Sequence, residues 1–213
     1  MKKGRSKSLK TIDLKKTLKP YYTASAATPS IIDVPPMNDL MVDGTGDPNG
    51  PAFQEAVGSL YSVAYTLKFS FKKDKAVDYP VMALEGLWCA NDVADFLRDK
   101  RENWKWTLFI ALPDIVTKKD VGEAVAAVKK KAKFPGLPEV RFEKFAEGRA
   151  AQVMHVGPYA AEGPTIERLR LFVEEQGYKL RGRHHEIYIG DPRRSAPEKL
   201  RTIIRHPVEK AKP

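Results

Sequence analysis

The sequence predicts an α+β protein made of two similar halves. Three segments, at about 52–70, 117–131 and 162–176, repeat apolar residues at the three- and four-residue spacing of a helix face. Short apolar segments between them are typical of strands. The order strand, helix, strand, strand occurs in each half, which indicates duplicated units with pseudo-twofold symmetry and antiparallel sheets. Ligands often bind where such halves meet, so we expect a ligand cleft between them.

The first half is expected to span about residues 36–115. Its first strand ends at the turn sequence DGTGDPNGP, which reaches residue 51. The predicted elements are a strand (37–43), a helix (52–70), two strands (79–88 and 104–112) and, between those strands, a short helical turn from Asp92 to Arg98.

The second half is expected to span about residues 138–208 and to follow a connecting helix. Thr117 is the predicted N-cap of that helix, and Asp120 completes a capping box. The predicted elements of the half are two strands (139–146 and 150–157), a helix (162–176) that ends before Gly177, and two final strands (183–190 and 200–208).

The positive charge of the chain lies at its two ends. The 213 residues include 37 Lys+Arg and 27 Asp+Glu, a formal net charge of +10. Residues 1–20 carry +7 and residues 192–213 carry +5, so the rest carries −2. Nucleic-acid binding needs a basic patch on the fold itself and is therefore disfavoured. We expect a basic, mostly flexible arm over 1–35, a folded domain over 36–208 and a tail over 209–213.

Several classes of protein are excluded or disfavoured by what the sequence lacks. No apolar segment approaches the ~18 residues of a membrane span, and the basic N-terminus has no apolar signal segment after it. The single cysteine, Cys89, excludes an intrachain disulfide and fits a reducing compartment. Phosphate-binding loops and a serine nucleophile motif are also missing. We expect a cytoplasmic protein with no cofactor and no metal.

The segment HHEIY at 184–188 has the highest density of side chains that could act in catalysis or binding. Alternation on a strand puts His184, Glu186 and Tyr188 on one face, and His185 and Ile187 on the other. The isoleucine suits the core, so the Glu186 face is either an exposed polar surface or the floor of a cavity. A shift of one residue would exchange Glu186 with its neighbour.

Aromatic residues form a second pattern. All three tryptophans, Trp88, Trp104 and Trp106, lie on or beside two neighbouring predicted strands. Four tyrosines are expected to converge on the same space if the halves pack symmetrically: Tyr61, Tyr65, Tyr159 and Tyr188. They form either ordinary core and rim aromatics or a cage around a flat apolar or cationic ligand.

The order of several separated motifs resembles the GyrI-like small-molecule-binding domain superfamily, and most of all its stand-alone bacterial branch. The resemblance covers about residues 35–208 and implies two βαββ modules of the SHS2 type with a ligand cleft between them. In multidrug-sensing relatives this domain is joined to a DNA-binding helix-turn-helix module, so the chain looks like a detached effector-binding domain. The motifs are DGTGDPN (43–49), FQEAV (53–57) with Leu60-Tyr61, LEGLW (84–88), WKWT (104–107), and HHEIY (184–188) with DPRR (191–194).

The stand-alone branch includes cyclopropanoid cyclopropyl hydrolases, which open the strained ring of DNA-alkylating antibiotics inside an aromatic cage. The resemblance implies that Glu186 is the pocket glutamate. Cys89 stands where relatives commonly have a second tryptophan, which leaves a smaller wall. The remaining positions that it implies are the aromatics Trp88, Trp106, Tyr61, Tyr65 and Tyr188, with His155 and Met154 on the wall.

The leading hypothesis is therefore a hydrolase for cyclopropanoids. Glu186 is expected to act as general base on a water. Tyr188, His155 or a tyrosine on a helix is expected to donate to the developing negative charge. The expected partner is a hydrophobic planar small molecule bound by a monomer or weak homodimer, without direct nucleic-acid or membrane contact. The expected ligand-binding residues are Trp88, Trp106, Tyr61, Tyr65, Met154, Tyr159 and His185.

Two other functions stay open at this point. The chain could be a non-enzymatic binder of planar cationic drugs, with Glu186 as the counter-ion of the ligand. It could also be a protein-interaction module, as in the gyrase-inhibiting relatives. Product analysis with a cyclopropanoid separates the first two, because only an enzyme adds water to the ligand.

Overall fold

The computed structural model describes residues 8–90, 100–131 and 140–211. The predicted turn from Asp92 to Arg98 lies outside these residues. The helices are α1 (Leu14–Thr17), α2 (Pro51–Ser70), α3 (Lys118–Lys130) and α4 (Gly163–Glu175). The strands are β1 (Lys10–Thr11), β2 (Ser30–Val34), β3 (Met37–Thr45), β4 (Val77–Asp78), β5 (Glu85–Ala90), β6 (Trp104–Leu112), β7 (Arg141–Phe145), β8 (Gly148–Val156), β9 (Tyr178–Leu180), β10 (His184–Tyr188) and β11 (Arg201–Lys210).

One nine-stranded antiparallel sheet joins both halves, which confirms the predicted α+β class. Its order is β2-β8-β11-β10-β5-β6-β3-β7, and β9 pairs with β11. The series β3-α2-β5-β6 has the order strand, helix, strand, strand, and the series β8-α4-β10-β11 has the same order. Both sets place their strands in the same relative order outward from the centre, where β5 pairs with β10. The two halves therefore meet along the β5–β10 ladder.

The helices form where local sequence signals start and stop them. Pro51 opens α2, where its fixed φ and missing N–H are tolerated. The predicted capping box of α3 is present, with Asp120 N–H donating to Thr117 Oγ1 over 3.3 Å and Thr117 N–H donating to Asp120 Oδ2 over 2.9 Å. Gly177 has a φ of +71° just beyond α4, as expected for a C-cap glycine.

The helices cover one face of the sheet. Leu60, Val63 and Leu67 of α2 pack with Leu108 and Ile110 of β6 in the larger core. A smaller core lies beneath α4, where Leu169 and Val173 contact the β8 and β11 side chains. Because α2 and α4 cover opposite halves, a gap remains between them above the β5–β10 ladder.

The chain ends contribute more to the fold than their charge suggests. The arm over 1–35 is expected to be mostly flexible, but β2 pairs with β8 along five residues and Leu14 is buried. Within the segment 192–213, β11 lies inside the sheet and Arg205 is fully buried. One of the basic residues at the C-terminal end, Arg205, therefore has a structural role.

A buried polar network lies on the sheet face away from α2 and α4. Its central residue, His185, holds Glu147 Oε1 at 2.8 Å from Nδ1 and Glu85 Oε2 at 3.1 Å from Nε2. Arg205 Nη1 donates to Glu147 Oε2 over 3.1 Å, and the Tyr22 hydroxyl donates to Glu85. The expectation that His185 binds the ligand is wrong, since alternation along β10 turns it into this network.

The network holds His185 in its charged form. Burial alone would lower the pKa of His185, but the charges and hydrogen bonds of Glu147 and Glu85 outweigh it and raise the pKa to about 9. Burial would raise the pKa of Glu147, yet His185 and Arg205 lower it to about 2. The two carboxylates are thus neutralised by two cations on this face.

We predict that folding stability depends on the charge of His185. The pKa of His185 is raised on folding, so its contribution is complete below ~6.5 and is lost as pH rises through about 9. His185→Asn should lower the free energy of unfolding at pH 6.5 by about 3–5 kcal/mol, because it leaves Glu85 and Glu147 buried without this cation. Urea denaturation at pH 6.5, 8 and 9.5 measures both effects. In the control His184→Gln, the free energy of unfolding should decrease with pH as much as in wild type. If it also decreased as much in His185→Asn, the prediction would be wrong.

Candidate ligand-binding and catalytic site

A large open cleft lies between α2 and α4, above the β5–β10 ladder. Its volume is about 2250 Å³. Phe53, Tyr61 and Tyr65 line one side from α2, and Glu162 and Ile166 line the other side at the start of α4. The floor is formed by side chains of the two central strands, among them Trp88, His184, Glu186 and Tyr188. The cleft therefore lies where the two halves meet, as predicted.

Glu186 is held on the floor by donors from both sides. His184 Nε2 lies 3.1 Å from Glu186 Oε1, and the Tyr188 hydroxyl donates to Glu186 Oε2 over 2.8 Å. Trp88 Nε1 in turn donates to the Tyr188 oxygen over 3.1 Å. Of the two interpretations of this strand face, the structure supports the cavity floor. The carboxylate is fixed in orientation but still faces the cleft.

A second carboxyl group, Glu162, lies beside Glu186. Glu162 precedes the first residue of α4, is only 4% exposed, and lies within hydrogen-bond reach of Thr202 and Glu186. Burial first, and the nearby charge of Glu186 second, together raise the pKa of Glu162 to about 9. Glu162 is therefore protonated at neutral pH next to an acceptor.

Sequence reasoning missed Glu162 because an acidic residue at a helix start has an ordinary explanation. Acids are common there, since they interact favourably with the helix dipole and the free N–H groups. Nothing in the local pattern AAEGP shows that this carboxyl is buried or that it faces the strand of Glu186. Only the packing of α4 against the sheet brings the two together.

The same residues are the ones that could hold a metal ion. Among the described residues, Glu162, His184 and Glu186 offer ligand atoms that all lie within 4.8 Å of one another. His184 and Tyr188 already occupy both oxygens of Glu186.

Aromatic rings cover much of the cleft wall. The Phe53 ring stacks on Trp88 with centroids 5.7 Å apart and meets Trp106 edge-on at 5.2 Å. Tyr159 meets Tyr188 edge-on at 5.7 Å. Such surfaces suit a flat apolar ligand, because each ring offers a large face at a small cost in conformational entropy.

The chain is similar to a known family and to solved structures. The family described as the GyrI-like small molecule binding domain matches residues 106–209. An uncharacterized conserved protein from Listeria innocua is 40% identical, with 93% of this chain and 100% of that chain covered and a TM-score of 0.85. The chain belongs to the GyrI-like family.

Two further crystal structures similar to this GyrI-like protein are hydrolases from Listeria innocua. One is 38% identical with a TM-score of 0.82, covering 93% of this chain and 100% of that chain. The other is 39% identical with a TM-score of 0.83, covering 94% and 100%. No curated protein matches the chain. No helix among the described residues is long and apolar enough to cross a membrane.

Some predicted site residues of this GyrI-like domain lie in the cleft. Phe53 and Trp104, which were not expected there, also line it. Cys89 lines the cleft as well, at the point where a smaller wall is expected. The predicted residues that the structure places along the cleft are Trp88, Tyr61, Tyr65, Tyr159, Glu186 and Tyr188.

Other predicted residues lie elsewhere. Met154 packs with Ile187 and Ile203 on the opposite face of the sheet. His155 is buried with Nδ1 at 3.0 Å from Thr165 Oγ1 and Nε2 at 3.2 Å from the Pro158 carbonyl, so it holds the start of α4 and does not line the cleft.

Trp106 supports the wall from behind Phe53. It is 3% exposed, and its Nε1 donates to the Gly46 carbonyl over 3.3 Å. Its ring lies across Gly44, where a Cβ would come within 1.9 Å of the indole. The glycine in the DGTG turn is therefore needed for the close approach of this ring, which in turn fixes Phe53.

We predict that Glu162→Gln becomes more stable relative to wild type as pH rises. The Glu162 pKa is raised from 4.5 to about 9 on folding, so the folded protein keeps a proton that the unfolded chain loses, and wild-type stability falls across that interval. Glutamine has no proton to lose, and the relative gain between pH 4.5 and 8 should reach at least ~1 kcal/mol. Urea denaturation measures it. The exposed Glu175→Gln on the same helix should follow wild type, and parallel curves for Glu162→Gln and wild type would show that Glu162 is not protonated.

Proposed function

We propose that this GyrI-like domain is a hydrolase that binds a planar hydrophobic small molecule and adds water to a strained ring. Cyclopropanoid DNA-alkylating compounds are the proposed substrate class. The observation that carries the proposal is Glu186, a carboxylate held by two donors on the floor of an aromatic cleft. The similarity to two Listeria innocua hydrolases along more than nine-tenths of the chain supports it.

The ligand would lie flat against the aromatic wall. Phe53 and Trp88 already stack on each other, and Tyr159, just before α4, meets Tyr188 edge-on. Each ring contact adds about 0.5–1.5 kcal/mol beyond the burial of apolar area. In this proposed pose, the edge of the flat ligand would lie over Glu186.

Glu186 would act as the general base. It takes a proton from a water, the water oxygen bonds to the cyclopropyl carbon, and the strained carbon–carbon bond breaks. The electron pair moves to the conjugated carbonyl oxygen, which takes a proton from solvent. The product is therefore the substrate plus one water.

Tyr188 has a different role from the one expected. Its hydroxyl donates to Glu186 and accepts from Trp88 Nε1, so it is a positioning residue that orients the base. His184 holds the other carboxylate oxygen. His155 is excluded as a donor to the ligand because both of its ring nitrogens contact Thr165 and Pro158.

A non-enzymatic binder of planar cationic drugs is the second candidate. Within the described part of the chain, the ion pair to Glu186 comes from His184 alone, and no lysine or arginine pairs with it. A cationic ligand stacked on the aromatic wall would meet this carboxylate as its counter-ion. In that case the ligand is recovered unchanged.

We predict that Glu186→Gln abolishes turnover but keeps binding. Loss of a general base costs on the order of 10²–10⁴-fold in rate, whereas glutamine keeps the shape of the side chain and leaves the aromatic wall intact. Mass spectrometry of a cyclopropanoid incubated with each variant measures the gain of one water, and tryptophan fluorescence measures binding. Glu175→Gln should match wild type in both. Wild-type turnover by Glu186→Gln would refute its role as base, and unchanged ligand with tight binding by wild type would favour the drug binder.

A further inference from the structure

The hydrogen-bond chain that fixes Glu186 passes over a residue without a side chain, Gly86. The Trp88 indole donates to the Tyr188 hydroxyl over 3.1 Å, and that hydroxyl donates to Glu186 Oε2 over 2.8 Å. Gly86 pairs directly with Glu186 across the ladder between β5 and β10. Residues that pair in this way lie side by side on one face of a sheet. A side chain at position 86 would therefore project toward the floor of the cleft.

A Cβ at position 86 would collide with this chain at its two polar atoms. It would come within 2.9 Å of Trp88 Nε1 and within 3.1 Å of the Tyr188 hydroxyl oxygen. Cβ atoms in proteins almost never approach another heavy atom within 3.0 Å, so the indole or the phenol would have to move. Glycine leaves the space in which the indole N–H and the hydroxyl meet.

The backbone at Gly86 does not itself require glycine. Gly86 lies inside the regular ladders of β5, and its φ is not in the positive range. A glycine inside a strand weakens the strand and often marks a close approach of another group. Here the approaching groups are the side chains of Trp88 and Tyr188, so their hydrogen bond explains the glycine.

The glycine beneath the tryptophan of the neighbouring strand gives a contrast. A Cβ at Gly44 would meet only ring carbons of Trp106 among its nearest atoms, so that glycine serves the packing of an indole. At Gly86, two of the three nearest atoms are the nitrogen and the oxygen of one hydrogen bond. The difference points to a role in orienting polar groups.

We propose that Gly86 is a positioning residue for the proposed base, Glu186. Because position 86 has no Cβ, the Tyr188 hydroxyl accepts from the indole of Trp88 and donates to the carboxylate. Gly86 is buried and is not among the residues that line the cleft, so it acts through these two side chains and not on the ligand. The inference rests on the proposed hydrolase function and adds a residue that governs its rate.

An alanine at position 86 would change the orientation of the base more than the surface that holds the ligand. The methyl group would separate the indole N–H from the hydroxyl, and the hydroxyl would turn away from Glu186 Oε2. The carboxylate would then keep only the contact of His184 with its other oxygen. A misplacement of about 1 Å in a catalytic group can cost ~10²-fold in rate. The stack of Phe53 on Trp88 would still hold the ligand.

The experiment is a double-mutant cycle of Gly86→Ala and Tyr188→Phe, measured by hydrolysis of a cyclopropanoid. Each single variant should lower kcat by about 10–10²-fold and keep KM within a few-fold of wild type. The double variant should be at most a few-fold slower than Tyr188→Phe, because both changes break the same chain. Gly122→Ala, at an exposed helix glycine whose added Cβ meets nothing within 4 Å, should match wild type. Wild-type kcat in Gly86→Ala, or losses that multiply in the double variant, would overturn the inference.

A measurement without turnover separates this inference from the proposed function. The indole N–H signal of Trp88 in ¹H–¹⁵N NMR spectra, assigned with Trp88→Phe, reports the hydrogen bond to Tyr188. It should move to higher field in Gly86→Ala and in Tyr188→Phe, and stay in place in Gly122→Ala. If wild type opens the cyclopropanoid but the signal does not move in Gly86→Ala, the inference alone is wrong. If the signal moves but wild type adds no water, the proposed function fails while Gly86 still orients Glu186.

The double variant also keeps the test decisive if Gly86→Ala alone does not fold. Removal of the Tyr188 hydroxyl gives the indole room to move away from the methyl group. Gly86→Ala with Tyr188→Phe should therefore unfold at a higher urea concentration than Gly86→Ala alone. If the double variant is no more stable, the backbone and not the hydrogen-bond chain excludes a Cβ, and the inference is wrong.

Discussion

Strand β10 is paired on both edges, and this double pairing determines what each of its side chains can do. It bonds to β5 on one side and to β11 on the other, at the centre of the sheet. A strand held in this way cannot shift its register without losing both ladders. Glu186 is therefore committed to the cleft, and His185 is committed to the opposite face.

The carboxylates on the two faces of this strand differ in how their charge is compensated. Behind the sheet, the negative charges of Glu85 and Glu147 are matched by His185 and Arg205, and burial raises the pKa of the neighbouring Asp39. In the cleft, Glu186 has only His184 as an ionic partner among the described residues, and its neighbour Glu162 carries a proton. The first arrangement favours structural stability, since each charge has a partner. The second leaves a carboxyl group with a strongly raised pKa beside an open cleft, as is typical of functional sites.

Much of the fold was predictable because the strongest signals are local. The limits of β6 and of the helices follow from apolar periodicity, capping residues and Gly177. The start of β5 was not predictable, because Tyr79 and Met82 are buried in the core without belonging to a ladder. Their burial gives the apolar pattern of a strand, although the strand itself begins at Glu85.

The site was predictable only in part, because residue type and spacing do not report which elements pack together. Alternation along β10 placed Glu186 and Tyr188 correctly. The same rule, applied to β8, shows that Met154 and His155 face opposite sides, so they could not both line one wall. Glu162 and Phe53 reach the cleft through the positions of α4 and α2 on the sheet, which are tertiary contacts. The family resemblance indicated the carboxylate on the floor but not its protonated neighbour.

At neutral pH, the carboxyl groups of Glu162 and Glu186 on the floor of the cleft hold one proton between them, and it resides on Glu162. The most direct measurement is a ¹³C NMR titration of the side-chain carboxyl carbons, assigned with Glu162→Gln and Glu186→Gln. We expect the Glu162 carbon to show the protonated chemical shift at pH 7 and to ionise near pH 9. Two ionised carboxylates at pH 7 would contradict the account.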